Sequence, residues 1–305
     1  MNHDSNRVDT VELTVPCSPS PPSAAPTGSA RVQVDLAALS DRGHVRPANE
    51  DHFLLVRFGR SLETIQTSLP PDEVPARSEE IGYGLLVADG IGGHVAGEVA
   101  SRRAISTMVT LVLQTPDWIL SNDPQHIEQV MARIADRYRQ IHAALRHEGQ
   151  DDPALSGMGT TMTLACSLGP CLVIGHIGDS RVYLLRGAKL FQLTRDHTLT
   201  QALVDMGQLT AEQAARHPAR HKLTHALGAA EDSCQGDVQT ATLTDGDQVL
   251  LCTDGLTNMV GGATIAAILR RAASAQEACR ALVEKALEKG GKDNVTVALA
   301  RYRFP

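Results

Sequence analysis

Short alternating or continuous runs of hydrophobic residues predict strands along much of the chain. Strict alternation predicts a half-buried strand in RVQVDLAALSD. A second strand is predicted in DHFLLVRFG, paired with the first through the intervening loop, and a third in GYGLLVADG. Two amphipathic stretches then predict helices over 96–114 and 124–148.

The second half of the chain repeats this order of strands followed by helices. Closely spaced strands, predicted to form a meander, lie in GTTMTLACSL, CLVIGHIGDS and RVYLLRG. Later strands are predicted in VQTATL, DQVLLCTDG and NVTVALARYRF, and two helices fill 263–290. Strand groups that alternate with helix pairs favour two packed sheets with helices outside.

Three regions lack such a pattern. Residues 1–30 are polar and proline-rich, which predicts a disordered tail, and 31–305 then form a single domain. Residues 59–80 contain three prolines and no sustained period, so they predict an inserted loop. Residues 195–230 are mixed and rich in histidine, which predicts short helices in a small subdomain.

Composition and charge exclude several classes of function. The 305 residues are 42% hydrophobic and 21% charged, enough for a real core, and the net charge of −7 offers no attraction for nucleic acid or an anionic membrane. Only 3% are aromatic, so base stacking is unsupported. No apolar run approaches the roughly 20 residues that span a bilayer, and no signal peptide is evident, so we expect a cytoplasmic protein with no membrane partner. Its six cysteines are predicted to be reduced core thiols, although Cys166 and Cys171 could face each other across a hairpin.

Acidic residues stand where several predicted strands begin or end. Asp89, Asp179 and Asp254 close apolar runs, Asp293 precedes a strand, and Glu50 and Asp51 precede another. An Asp-Gly pair is commonly a hairpin turn, which is our interpretation of Asp245-Gly246.

Asp89 and Asp254 differ, because a helical stretch follows each of them instead of a partner strand. Carboxylates gathered at one rim repel one another unless cations neutralise them. Carboxylate and carbonyl oxygens are the ligands that Mg²⁺ and Mn²⁺ prefer, and the glycines after both aspartates allow close backbone approach. The pattern therefore favours a metal-binding role for these two residues.

Eight segments occur in a specific order along the chain: SDRGHVRPANEDHF, VADGIGGHVAGEVAS, GTTMT, GHIGDSRVYLLRG, LTRDHTLTQALVDMGQLT, HPARHKLTHALG, LLCTDGLTNMV and KDNVTV. In this order they resemble one known family, the bacterial form of the metal-dependent serine/threonine protein phosphatases of the 2C type. The resemblance covers about residues 31–301. The resemblance implies an α+β fold, an αββα sandwich of two mostly antiparallel sheets flanked by helices, with 195–230 as a flap subdomain.

The same resemblance implies roles for individual residues. Asp89 would bridge two Mn²⁺ or Mg²⁺ ions. Glu50 and the Gly90 carbonyl would bind one ion, and Asp254 and Asp293 would bind the other. Asp51 would act through water or behind the direct ligands, because neighbouring strand residues point to opposite faces.

Two further roles follow from the resemblance. Asp179, with Asp254, matches the ligands of a third ion in bacterial members. Arg46 matches the phosphate-clamping arginine, and its planar guanidinium suits two phosphate oxygens.

The implied reaction is hydrolysis of phosphoserine or phosphothreonine by water that two cations activate. Its partners would be phosphorylated proteins and a cognate serine/threonine kinase. Animal members of the family have a histidine directly after the Asp-Gly, where this chain has Ile91; His94 lies three residues further on, and the general acid is left unassigned.

Other functions compete with this hypothesis. Another metallo-phosphohydrolase, such as a phosphodiesterase, would share the acidic cluster, and a non-catalytic phosphoprotein-binding module would tolerate loss of ligands. The four-residue spacing of His217, His221 and His225 could indicate zinc on a helix face, although Pro218 interrupts it. His176 is interpreted as a core histidine.

Overall fold

The predicted αββα sandwich is confirmed. The computed structural model describes residues 32–70, 73–93, 95–115, 124–229 and 234–305. Two antiparallel sheets pack face to face, and helices cover the outer face of each sheet. The predicted tail at 1–30 lies outside the described residues.

Each sheet is built from strands that are distant in the sequence. In the first sheet the order is β1 (Gln33–Asp41), β11 (Val295–Arg303), β10 (Gln248–Cys252), β7 (Arg181–Arg186) and β8 (Lys189–Gln192). In the second sheet the order is β2 (Asp51–Glu63), β3 (Arg77–Ile91), β5 (Met162–Leu168), β6 (Cys171–Ile177) and β9 (Asp237–Thr242), and the short β4 (Gly159–Thr160) pairs with the end of β3.

In the part of the chain that the structure describes, seven α-helices surround the sheets, and both predicted helix pairs are confirmed. They are α1 (Val95–Leu113), α2 (Pro124–Asp151), α3 (Leu199–Asp205), α4 (Ala211–Arg216), α5 (Asp254–Thr257), α6 (Gly262–Arg271) and α7 (Ala275–Glu288). Hydroxyl groups of Thr198, Thr210 and Ser274 accept backbone hydrogen bonds at the N-termini of α3, α4 and α7, where helix amides lack internal partners. Within the described residues, no helix is long and apolar enough to cross a bilayer.

Three hydrophobic layers hold the sandwich together. The middle layer joins the inner faces of both sheets, for example Val87 and Ile174 against Leu251 and Ala298. The outer layers join the second sheet to α1 and α2, and the first sheet to α6 and α7. Strands buried on both faces have continuous apolar runs such as LLVA in β3, because both of their surfaces leave water.

The predicted partners of several strands are wrong. β1 does not pair with β2: it pairs with β11, and β2 pairs with β3. The predicted meander is divided, because β6 belongs to the second sheet and β7 to the first. The turn at Asp245-Gly246 likewise connects β9 to β10 across the two sheets and closes no hairpin. Alternation of side chains indicates which face is buried, but it does not identify the neighbouring strand.

The predicted loop at 59–80 is too long. β2 continues to Glu63 and β3 begins at Arg77, and these two residues pair with each other. Only the connection between them is irregular in its described part. The ends of β2 and β3 on either side of this connection form a hairpin. The hairpin extends beyond the edge of β5, because β3 pairs with β5 only over Gly82–Val87. Strand β8 was not predicted at all.

The region predicted as a flap contains two short helices. α3 and α4 lie between β8 and β9. Two isolated bridges hold the segment that follows α4: Thr198 with Leu223 within the flap region, and Thr160 of β4 with Leu227. This segment therefore borders the end of the sandwich where β4 lies.

Candidate active site

Most of the predicted acidic residues line one cavity of about 760 Å³ at the end of the sandwich. Its wall includes the side chains of Glu50, Asp89, Asp179, Asp254 and Asp293, together with Arg46, Gly90 and residues of the flap region. These side chains come from separate segments of the chain, so only the packing of the two sheets brings them together.

Asp89 does not turn the chain. It lies within β3, directly opposite Asp51 of β2, and the strand continues through Gly90 to Ile91. The Asp89 amide donates to the Thr161 hydroxyl at 3.0 Å, and the Asp89 carbonyl accepts from the Thr161 amide at 2.9 Å. Both backbone groups of Asp89 are therefore held, and its carboxylate lines the cavity.

Gly90 is a point of close backbone contact. A Cβ atom there would lie 2.2 Å from the Gly97 carbonyl oxygen of α1, so no other residue fits without movement of the helix. Gly97 in turn leaves room for the Glu50 carboxylate, since a Cβ at Gly97 would meet Glu50 Oε2.

Glu50 is held by its backbone rather than by its side chain. Its amide donates to Asn294 Oδ1 at 2.8 Å, and its carbonyl accepts from the Ser101 hydroxyl at 2.6 Å. The Asn294 amide group also donates to the carbonyls of Arg42 and Ala48, at 2.8 and 2.9 Å. Asn294 thus fixes the 42–50 loop against the start of β11.

Asp51 is buried beside this wall. The Thr253 hydroxyl donates to Asp51 Oδ2 at 2.8 Å, whereas Asp51 Oδ1 is buried without a hydrogen-bond partner among the described residues. A buried carboxylate oxygen that lacks a donor is costly, and an ordered water or a cation is the usual compensation. This position is compatible with the predicted indirect role of Asp51.

Asp254 and Asp293 lie on the opposite sheet, at the start of α5 and just before β11. Asp254 Oδ2 accepts from Asn258 Nδ2 at 2.9 Å and lies 3.4 Å from His221 Nδ1. Asp293 Oδ2 accepts from Arg46 Nη2 at 2.8 Å. Arg46, predicted as the phosphate clamp, is therefore paired with one of the predicted metal ligands.

Burial, together with repulsion between neighbouring carboxylates, raises the pKa values of three of these acidic residues. Burial, and then repulsion from Asp51 and Asp254, raises the pKa of Asp89 well above its usual value. Burial also raises the pKa of Asp51 to about 7, with added repulsion from Asp254 and Asp293. Asp179 is shifted in the same direction, through burial and the charge of Asp254. The cluster is thus strained electrostatically as long as no cation neutralises it.

The donor set fits hard divalent cations. Five carboxylates, one backbone carbonyl and the orphaned Asp51 oxygen are the oxygen ligands that Mg²⁺ and Mn²⁺ take. Among the described residues, no three acidic, histidine or cysteine side chains already converge as a metal-binding group. Asp254 and Asp293 instead take hydrogen bonds from neighbouring side chains.

The zinc alternative is not supported. His217 follows the last turn of α4, and its Nδ1 accepts from the Ala219 amide at 3.1 Å. His221 faces Asp254, and His225 interacts with Thr224. The three histidines do not share a helix face and form no metal-binding group within the described part of the chain.

The other histidine and cysteine predictions have separate outcomes. His176 is a core histidine, as predicted: it is buried, with hydrogen bonds to the Thr163 hydroxyl and the Arg195 carbonyl. The described cysteines are thiols, and Cys166 lies opposite Val173, so Cys166 does not face Cys171. Cys17 and His94 lie outside the described residues.

Four supporting residues were not predicted: Ser101, Thr161, Thr253 and Asn294. Thr253 and Asn294 are adjacent in the sequence to the predicted ligands Asp254 and Asp293, and this adjacency could have indicated a supporting role. Thr161 is 72 positions from Asp89 in the sequence, and no local pattern connects them.

The chain is similar in sequence to known protein phosphatases. Residues 67–290 match the sequence model of the family described as Protein phosphatase 2C. The serine/threonine protein phosphatase PstP of Mycobacterium tuberculosis is 38% identical over 273 residues, which are 89% of this chain and 46% of that protein. Protein phosphatase PhpP of Streptococcus pneumoniae is 33% identical over 268 residues, 87% of this chain and 96% of that protein.

A solved structure is also similar. The crystal structure of the catalytic domain of PstP in complex with two manganese ions is 34% identical, covers 90% of this chain and 100% of that one, and has a TM-score of 0.69. The chain spans less than half the length of the mycobacterial relative and nearly all of the pneumococcal one.

Proposed function

Because the chain belongs to the protein phosphatase 2C family, we propose that it is a metal-dependent phosphatase acting on phosphoserine and phosphothreonine in proteins. The single observation that carries the proposal is the cavity in which five carboxylates and Arg46 face one another. Such a concentration of negative charge suits cation binding, and one guanidinium at its rim suits an anionic substrate.

Different carboxylates would bind each of the two cations. We propose that Asp89 bridges the ions, that Glu50 and the Gly90 carbonyl complete one site, and that Asp254 and Asp293 complete the other. Divalent cations bound there would supply Lewis acidity and lower the pKa of a water molecule towards neutrality. Asp51 acts through water or from behind the direct ligands, and Asp179 contributes to a third, weaker cation site.

Arg46 is proposed to bind the substrate phosphate. Its contact with Asp293 is half exposed, with side-chain exposures of 50% and 32%, so the pair is weakly held and the guanidinium is available to another anion. A phosphate group that enters the cavity offers two oxygens in the geometry that a guanidinium fork matches.

The chemistry of the substrate indicates which enzymes must supply it. Phosphoserine and phosphothreonine in proteins are made by serine/threonine kinases, so we propose that such a kinase works opposite this protein. The proposal includes a cytoplasmic location, where ATP-dependent kinases have their cosubstrate.

Turnover of defined substrates tests the proposal. The protein, first stripped with EDTA, is assayed on p-nitrophenyl phosphate and a phosphothreonine peptide with and without Mn²⁺ or Mg²⁺. We expect activity only with added metal. Bis(p-nitrophenyl) phosphate serves as the diester comparison. Full activity without metal, or faster hydrolysis of the diester than of the monoesters, contradicts the proposal, as does absence of any turnover.

A further inference from the structure

The turn that carries Asp179 is bonded to the first residues of the flap region. We define residues 194–198 as the flap root. The His197 amide donates to the Gly178 carbonyl at 2.7 Å, and the Gly178 amide donates to His197 Nδ1 at 3.2 Å. One residue of the flap root therefore satisfies both backbone groups of the residue directly before Asp179.

These contacts determine the tautomer of His197. A backbone amide only donates, so Nδ1 of His197 accepts and carries no proton. The proton is then on Nε2, which lies 3.1 Å from Asp237 Oδ2 on β9. This hydrogen bond holds the pKa of Asp237 below its usual value.

The His197 ring is also packed on two sides. Its centroid lies 4.8 Å from that of His176 and 4.7 Å from that of His225, and only 11% of the side chain is exposed. His225 itself lines the cavity. His197 thus lies between the edge of the second sheet, the Asp179 turn and the flap wall of the cavity.

A second contact holds the same turn from its other end. Asp196 receives two hydrogen bonds from Arg181, Nε to Oδ1 at 2.8 Å and Nη2 to Oδ2 at 2.6 Å. Gly178 has a φ of +113°, and a Cβ there would lie 2.4 Å from Thr161 Cγ2, so the turn packs closely against Thr161 and leaves no space for a side chain. Two consecutive flap-root residues therefore contact the residues on either side of Asp179 and Ser180.

We propose that His197 is a positioning residue: through Gly178 it fixes the Asp179 carboxylate relative to the cavity, and so ties the flap to the acidic cluster. The inference rests on the proposed function for the role of Asp179 in cation binding. The contact between His197 and Gly178 is independent of any metal.

Two substitutions separate the two nitrogen atoms of His197. In His197→Asn the amide oxygen takes the place of Nδ1, so it still accepts from Gly178 but no longer reaches Asp237. In His197→Gln the amide nitrogen takes the place of Nε2, so it still donates to Asp237 but leaves Gly178 without an acceptor. Both variants lose the ring, so the loss of ring packing is matched. His147→Gln, an exposed change on α2, is the surface control.

The first measurement is hydrogen exchange of the Gly178 amide in metal-free protein. We expect exchange at least about tenfold faster in His197→Gln, and within about threefold of wild type in His197→Asn and His147→Gln, because one hydrogen bond is lost only in the first.

The second measurement is a Mn²⁺ titration followed by electron paramagnetic resonance, with Asp179→Ala as the reference for the Asp179-dependent site. In His197→Gln this site should weaken about ten- to hundredfold, the usual effect of removing a group that orients a ligand. The remaining sites should be unchanged, and His197→Asn should keep all of them.

If the Gly178 amide exchanges at the wild-type rate in His197→Gln, the inference is overturned. It is also overturned if both His197 variants lose the same amount of Mn²⁺ affinity at the Asp179-dependent site. If His197→Gln fails to fold, Asp237→Ala replaces it: this variant keeps both Gly178 contacts, so exchange accelerated about tenfold there, or in His197→Asn, contradicts the inference. A wild-type protein without phosphatase activity or Mn²⁺ binding refutes the proposed function instead, and the metal-free exchange still decides the role of His197.

Discussion

Replacing Arg46 separates substrate binding from metal binding. In Arg46→Ala the guanidinium that we propose to hold two phosphate oxygens is lost, while every proposed metal ligand remains. Hydrogen bonds to charged groups contribute roughly 1.5–3 kcal/mol, which corresponds to about ten- to hundredfold in kcat/KM. We expect a fall of that size on a phosphothreonine peptide at saturating Mn²⁺.

The contact between Arg46 and Asp293 sets the expected effect on metal affinity. Both side chains are substantially exposed, so the pair contributes at most about 1 kcal/mol. Removing the arginine frees the Asp293 carboxylate, so Mn²⁺ should bind equally well or up to about fivefold more tightly. The same weak pair predicts little change in thermal stability.

The assay combines steady-state kinetics with a Mn²⁺ titration on three variants. Arg46→Lys keeps the charge but not the planar fork, and should recover only part of the lost kcat/KM. Arg42→Ala, which removes an exposed arginine of the same loop that donates to the Pro47 carbonyl, is the matched control and should resemble wild type. Unchanged kcat/KM in Arg46→Ala refutes a role in phosphate binding, and loss of Mn²⁺ binding refutes the division of roles.

Three other predictions concern the cluster and the core. Asp89→Asn and Asp254→Asn should each lower activity by at least about a thousandfold at saturating Mn²⁺ without lowering the unfolding temperature of the metal-free protein, because ligand charge is lost while side-chain shape and packing remain; wild-type turnover in either variant would show that the ligand is misassigned. Asp179→Ala should keep two Mn²⁺ ions but lose density for a third in anomalous scattering from crystals grown at high Mn²⁺, with turnover reduced more on protein substrates than on p-nitrophenyl phosphate; a third ion that persists beside residue 179 contradicts this. Burial lowers the pKa of His176 to about 4, below the value of about 6.5 for an exposed histidine, so the folded state binds fewer protons between these values and stability present above pH 6.5 is lost as the pH falls towards 4. Denaturant unfolding of metal-free protein is therefore measured at pH 7 and at pH 4.5. The free energy of unfolding should fall between these pH values in wild type, and the fall should be smaller by up to about 3 kcal/mol in His176→Asn. Equal falls in both proteins would mean that His176 does not cause the loss of stability.

Much of the architecture could be predicted locally. The helices α1, α2, α6 and α7 follow from apolar periodicity, and the strands buried on both faces follow from their continuous apolar runs. The hairpin that extends over 59–63 and 77–81 was missed because its polar sequence carries no alternation and three prolines lie in the connection between its strands. Its pairing comes from continuation of the β2–β3 ladder.

The acidic residues of the candidate site could also be predicted from the sequence, since Asp89, Asp179 and Asp254 each follow a hydrophobic run. Their local backbone conformation could not be predicted. Asp89-Gly90 resembles a turn, yet it continues β3 because β4 supplies hydrogen bonds to Gly90 and Ile91. The partners of His197 and Glu50 are equally non-local: Asn294, which holds the Glu50 amide, is 244 residues away.

The sequence by itself determined most of the segments that form helices or strands and which carboxylates are candidates for metal binding, because periodicity and side-chain chemistry are properties of neighbouring residues. Tertiary structure alone decided that β1 pairs with β11, that β6 and β7 lie in different sheets, and that Arg46 meets Asp293. The physical reason is that a strand presents the same alternation to any partner. Its neighbour is selected only when all apolar faces of both sheets are buried together, and that selection gathers distant carboxylates around one cavity.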